Sequence, residues 1–271
     1  MEGLENVREE SVRTPFGDPS DAYVTGTLQG RPIVFLARHG RGHRLLPTEI
    51  NFRANICGFK MLGVERIVSI SAVGSMREEL RPLDVVLPDQ FIDRTRHRVS
   101  TFFGGGIVAH VAFSDPVCPD LRAHLAEAAA GVTPRLRNGG TYLCMEGPQF
   151  STRAESLLYR TWGVDVIGMT NVQEAKLARE AELCYATMAM VTDYDCWREG
   201  EAAVTVEEVV ARLEENATVA QSIVTKAIQR LTDARSCACA TALENAILTD
   251  RRQIPREARE RLRPIAGRLL D

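Results

Sequence analysis

The chain has 271 residues, 45% hydrophobic and 25% charged, with a formal net charge of −3. That length suits one large α/β domain with a substantial core, and the charge balance argues against a polyanion such as DNA or RNA as partner. No apolar run approaches a membrane span and the opening MEGLENVREESV lacks the apolar core of a leader, so a cytoplasmic location is expected.

Residues 1–20 are polar, with turns at Pro15, Gly17 and Pro19 and no apolar strand before Thr14. Tyr23 to Leu28 and Pro32 to Ala37 read as a hairpin around Gln29-Gly30. The second strand runs into Arg38-His39-Gly40-Arg41-Gly42-His43. Arg and His beside glycines can close around a small anion, though a solvated basic turn has the same composition. Pro47 to Leu62 follows as a helix stopped by Gly63. The strand Arg66 to Ala72 ends in Ser71-Ala72-Val73-Gly74-Ser75, where small hydroxyls again suit an anion. Asp84 to Leu87 is a short strand, and the loop from Asp93 to Gly106 carries His97, with His110 just beyond. A histidine in such a loop is ordinarily a surface group.

Cys118 to Ala130 reads as a helix, Leu143 to Glu146 as a strand leading to Gly147-Pro148-Gln149-Phe150, and Ser151 to Trp162 as a helix with Ser151 and Thr152 as cap candidates. Val164 to Met169 is a strand ending at Thr170, followed by a helix from Val172 to Glu182. That spacing predicts a βαβ unit whose strands are parallel and adjacent. Thr205 opens the longest helix, with Glu208 completing a capping box. Val206, Val209, Val210, Leu213, Ala217, Ala220, Val224 and Ile228 mark its buried face. In the arginine-rich tail from Arg251, Ala258, Leu262 and Ile265 form an apolar stripe, in a helix that Pro264 should shorten. Without repeat or linker, residues 1–271 read as one domain. The 7 cysteines are Cys57, Cys118, Cys144, Cys184, Cys196, Cys237 and Cys239. Scattered through apolar segments, they suggest buried reduced thiols, and Cys237-Ala-Cys239 is too little for a zinc site without other Cys or His near it.

The chain is organised around LCYATMAMVTDYDCW, from Leu183 to Trp197. Cys184 to Val191 is an apolar run suited to a buried strand. It ends in Thr192-Asp193-Tyr194-Asp195, and ligand crevices of open α/β sheets form at such carboxyl ends. If Tyr194 points away, an extended backbone sends Asp193 and Asp195 to the same side. Two nearby carboxyls resist ionising together, and one kept neutral can donate to a ring nitrogen. A solvated acidic turn is the plain alternative.

The segments ARHGRGH (37–43), SAVGS (71–75), DQFIDRT (89–95), EGPQF (146–150), IGMTNVQEAKLAREAE (167–182) and TDYDCW (192–197) occur in order at characteristic separations. Together they resemble the trimeric purine nucleoside phosphorylase family, over nearly the whole chain from about Thr14. The resemblance implies a single α/β domain around a mixed sheet curled into a distorted barrel, assembled as a homotrimer with shared sites. It implies phosphorolysis, with 5′-methylthioadenosine the expected nucleoside, phosphate a co-substrate, and no metal or organic cofactor. Arg38, His39, Ser71 and Thr170 resemble the phosphate ligands, and Asp193 and Asp195 the groups that read purine N7 and its 6-amino substituent. Phe150 resembles the ring on the base, and Met169 lies under the ribose, with Ala72, Ile167 and Thr192 lining the site. Val204, Val206 and Val209 resemble the wall around the methylthio group, and His110 the histidine that reaches in from a neighbouring subunit. The family's opening strand and Gly-rich phosphate loop have no counterpart here, and the neighbouring strand should gain an exposed edge. Rival expectations are a 6-oxopurine nucleoside phosphorylase, against which Asp193 speaks, and a nucleoside-binding protein without turnover.

Overall fold

A computed structural model describes residues 3–198 and 206–270, apart from the side chains of Val206, Glu208, Val209 and Leu213. Its smaller sheet is antiparallel and runs β1 (Leu4–Glu10), β2 (Tyr23–Leu28), β3 (Arg31–Phe35). The β2–β3 hairpin turns on Gln29 and Gly30, at φ 53° and 75°, the left-handed pair whose twist matches the flanking strands. β1 corrects the strandless reading of residues 1–20. Only Leu4 is half-buried in it and the rest is exposed, so no apolar signal marks it. Pairing from Leu4↔Leu28 to Glu10↔Tyr23 makes it a strand, along one edge of β2.

The larger sheet holds β4 (Arg66–Ser75), β5 (Val85–Leu87), β6 (Gln90–Asp93), β7 (Leu136–Asn138), β8 (Thr141–Cys144), β9 (Val166–Gly168) and β10 (Cys184–Asp193). Their order is β6-β8-β9-β4-β10-β5-β7, and the mixed sheet curls into a half-barrel, as the sequence reading expected. β6 and β7 escaped that reading because they are short and partly exposed. The βαβ expectation is wrong. β4 lies between β9 and β10, parallel to β10 and antiparallel to β9. β10 finds a full-length partner in β4, from Cys184↔Arg66 to Asp193↔Gly74, whereas three-residue β9 reaches just the end of β4 on one side and pairs with β8 on the other.

Six helices flank the sheet among the described residues: α1 (Phe52–Met61), α2 (Pro119–Ala130), α3 (Arg153–Thr161), α4 (Val172–Glu180), α5 (Val206–Arg230) and α6 (Arg256–Leu270). α1, α4 and α6 bury Ile56, Leu177 and Leu262 in one cluster, while α2 and α5 bury Leu125 and Ile223 in another. α1 starts later than Pro47 because Asn51 caps it, accepting the Ala54 N–H at 3.1 Å. Thr152, not Ser151, caps α3 in a reciprocal box with Glu155. The Thr205 capping box lies outside the described residues. The buried face of α5 holds Asn216, Ala220, Ile223, Ala227 and Ile228, while Ala217 and Val210 are exposed, against expectation. α6 runs through Pro264 rather than stopping there. Proline costs a helix interior roughly 3 kcal/mol, but burying Leu262, Ile265 and Leu270 returns roughly 1.5–3 kcal/mol each. No described helix is long and apolar enough to cross a membrane.

Candidate active site

The two central strands end together, and a bulge sets what they present. Val191 pairs with Val73 and Asp193 with Gly74, so Thr192 is an extra residue in β10. Bulges of this kind re-aim side chains beside functional sites. The Thr192 hydroxyl lies 2.7 Å from Asp193 Oδ2 and 3.2 Å from the Val73 carbonyl. Beyond the strand the backbone is not extended, which corrects the argument from alternation. Asp195 takes a left-handed φ of 53°, and its N–H donates to Asp193 Oδ1 at 2.7 Å. Tyr194 does point away, edge-on to Trp197 with ring centroids 5.8 Å apart, and Trp197 Nε1 donates to the Ser75 carbonyl. A tight turn thus puts both carboxyls on one wall. Gly74 makes room for them: a Cβ there would meet Asp193 Oδ1 at 2.9 Å and the Asp195 Cβ at 3.3 Å. Burial pushes the Asp195 pKa up from its ordinary value, and desolvation, rather than the neighbouring carboxylate, is the main cause of that rise.

The basic loop supplies the opposite chemistry. Arg38 donates to Thr170 Oγ1 at 2.7 Å, Asn171 Oδ1 at 2.8 Å, Ser69 Oγ at 2.6 Å and the Ile70 carbonyl at 3.0 Å. Its Nε faces Glu174 Oε1 at 3.4 Å, and Glu174 in turn accepts from the Tyr185 hydroxyl at 2.8 Å. This guanidinium is held as a fixed positive charge. Thr170 Oγ1 accepts from Arg38 and donates to Asn171 Oδ1 at 3.1 Å, a bond it would exchange to donate to a ligand. Among the described residues the Ser71 hydroxyl has only long contacts, 3.4 Å to the Ala72 carbonyl and to the Tyr142 hydroxyl, and can turn to a ligand. His39 Nδ1 donates to the Leu45 carbonyl at 2.9 Å, leaving Nε2 for a ligand. Burial lowers the His39 pKa, with the stacked His43 ring 4.2 Å away adding to it, which favours the neutral imidazole.

The carboxyl pair and the basic site open on one cavity of about 650 Å³. Its wall contains Arg38, His39, Ser71, Ala72, Phe150, Ile167, Met169, Thr170, Thr192, Asp193 and Asp195, eleven of the residues singled out from sequence. Phe150 is 48% exposed at the rim. His110 does not line the cavity; it is exposed, its backbone N–H bonded to the Ala246 carbonyl. Val204 and the side chains of Val206 and Val209 lie outside the described residues, while Val210, one turn on from Val206, is on the wall. Sequence reasoning passed over Leu45, Leu46, Ile70 and Met145 in the apolar lining. It also passed over Glu174 and Asn171 behind Arg38. The run Leu45-Leu46-Pro47 directly after the basic loop was the available signal for an apolar wall; nothing in sequence linked Glu174 to Arg38. Ser75, expected at the anion site, instead donates to the Arg77 carbonyl at 2.9 Å.

Residues 1–229 match the family model described as the phosphorylase superfamily. The chain belongs to the phosphorylase superfamily. Among curated members of this superfamily, it is 62% identical to the S-methyl-5′-thioadenosine phosphorylase of Koribacter versatilis, over 99% of this chain and 92% of that protein. The crystal structure of a methylthioadenosine phosphorylase from an antarctic soil metagenomic library superposes with a TM-score of 0.93 at 48% identity, covering 98% of this chain and 94% of that one. A Schistosoma mansoni methylthioadenosine phosphorylase solved with adenine gives 0.79 at 36% identity, covering 82% of this chain and 84% of that one.

Proposed function

We propose that this member of the superfamily is an enzyme catalysing phosphorolysis of 5′-methylthioadenosine to adenine and 5-methylthioribose 1-phosphate. The observation that carries the reading is one cavity walled by a fixed cation with hydroxyls and by a carboxyl pair of which Asp195 is buried and Asp193 half-buried. The names and high identity of the relatives support the same substrate.

Breaking the glycosidic bond leaves positive charge on the sugar and negative charge on the departing purine. Phosphate held by Arg38, Thr170, Ser71 and His39 would stabilise the first as it attacks C1′. Asp195, kept towards its protonated form by burial, would donate at N7 and stabilise the second. Asp193 would accept from the 6-amino group. Neutral His39 can accept from a protonated phosphate oxygen, or take up a proton when the dianion binds. Met169 and Phe150 would cover the ribose and base, while Leu46 and Val210 add apolar wall. In this reading phosphate is a co-substrate and neither metal nor organic cofactor takes part in the step. The assembly proposed is a homotrimer, with His110 of each chain closing a neighbour's cavity; its exposure outside its own chain's cavity supports that role.

Incubating the protein with 5′-methylthioadenosine and phosphate, and resolving the products, tests the reaction. Equal amounts of adenine and methylthioribose 1-phosphate are expected; adenine binding without turnover would mean a nucleoside-binding protein instead. Asp193→Asn tests the base reading. It should move relative kcat/KM from 6-amino towards 6-oxo nucleosides by about 10-fold or more, because a buried polar edge left unpaired is heavily penalised. An unchanged ratio would remove Asp193 from that role.

A further inference from the structure

Away from the cavity, the fold gathers four cysteines that lie far apart in sequence. Cys118 caps α2, Cys184 is the first residue of β10, and Cys237 and Cys239 follow α5, the latter in a single 3-10 turn, Ala238–Thr241. Their four Sγ atoms all lie within 4.8 Å of one another. Three of the residues are buried and Cys237 is half-buried, and all four are free thiols. The Sγ atoms of Cys184 and Cys237 are 3.4 Å apart, well beyond a sulfur–sulfur bond of about 2.05 Å. The sequence offered only Cys237-Ala-Cys239, too little for a metal; the fold supplies the missing companions.

A buried cysteine that merely fills space packs its sulfur against carbon. Here four sulfurs face one another instead. Beside them is a void of about 20 Å³ walled by Cys118, Cys184 and Cys237, room for a single small particle. Four thiolates around zinc at about 2.3 Å would stand about 3.8 Å apart, so the spread here needs shifts of about an ångström at most. A tetrathiolate holding a divalent ion carries two net negative charges. Arg66 and Arg235 are on the wall of the same void, along with Asp120 and His124, and put positive charge near the site while donating to backbone carbonyls and pairing with Glu65. The amino end of α2 adds to it, the Leu121 N–H donating to Cys118 Sγ at 3.5 Å.

We propose that Cys118, Cys184, Cys237 and Cys239 form a structural site for one thiophilic transition-metal ion. An all-sulfur, four-ligand set selects zinc over magnesium or calcium and keeps no open position for a substrate. Binding of a divalent ion displaces one proton from each thiol and requires no oxidant. The ion ties the segment after α5 to the start of β10 and to α2, and among the described residues none walls both this void and the large cavity.

The test is elemental analysis of the untagged protein, purified under reducing conditions from zinc-supplemented cells and dialysed. About one zinc per chain is expected, with at least a ten-fold drop in the Cys237→Ser/Cys239→Ser variant. One iron per chain would equally sustain the site. The metal-stripped wild type, loaded with cobalt, should develop thiolate-to-cobalt charge transfer and the strong visible bands of a tetrahedral ion, a readout independent of whether the variant folds. Metal-free wild type with reduced thiols and no cobalt spectrum would overturn the proposal. So would peptide mapping of freshly isolated protein that finds these cysteines joined as disulfides.

Discussion

Asp195 pays for its place: a non-glycine residue at φ 53° gives up about 1–2 kcal/mol. The bond from its N–H to Asp193 and the packing of Tyr194 on Trp197 hold it there. The DxD at the end of an apolar run was legible as a carboxyl pair, because residue identities and hydrophobicity are written directly in the sequence. The geometry was not, since neither the bulge at Thr192 nor the left-handed turn has a residue signature. Burial raises the Asp195 pKa above its ordinary 3.8, so its acid form is lost as pH rises through the shifted value. kcat should therefore fall on the alkaline side of the pH profile. Asp195→Asn should lower kcat by about 10²–10⁴-fold and lack that limb. A variant that keeps the wild-type limb would show that another group titrates.

Among the elements, α4 does more than connect β9 to β10. Glu174 on its first turn anchors Arg38, and Glu180 on its last turn accepts from the Thr101 hydroxyl and the Phe102 N–H, both at 2.7 Å. The existence of α4 was readable from its amphipathic pattern; its neighbours were not. The βαβ reading assumed that strands close in sequence pair, and the longer match of β10 with β4 overrode it. Burial pushes the Glu180 pKa up to about 7 from 4.5. A carboxyl whose folded pKa is raised favours the fold below its unfolded pKa and loses that contribution as pH rises through the folded one. Stability should thus fall between about pH 4.5 and pH 7, by about 3 kcal/mol from this group. Relative to the Glu180→Gln variant, whose amide does not titrate, the wild-type Tm should drop by about 5–10 °C between pH 5 and pH 8. Parallel Tm profiles for the two proteins would contradict this.

For the whole molecule, fold class and family were legible because six short motifs stand in register along the chain, each weak alone. The polar strand β1 and the four-cysteine cluster were not, since both are made by partners distant in sequence. The proposed trimer places His110 in a neighbour's cavity. Sedimentation equilibrium should give three times the chain mass, and His110→Ala should raise KM for methylthioadenosine more than for adenosine. A fully active monomer would end that proposal. The central claim is that one cavity holds phosphate and nucleoside together, and the most direct measurement is the initial rate of adenine release from saturating 5′-methylthioadenosine against phosphate concentration, for wild type and Thr170→Val. The account predicts saturable dependence on phosphate, with the variant raising phosphate KM by about 10-fold and leaving nucleoside KM nearly unchanged. Adenine release that proceeds at full rate without phosphate, or a variant with unaltered phosphate KM, would contradict it.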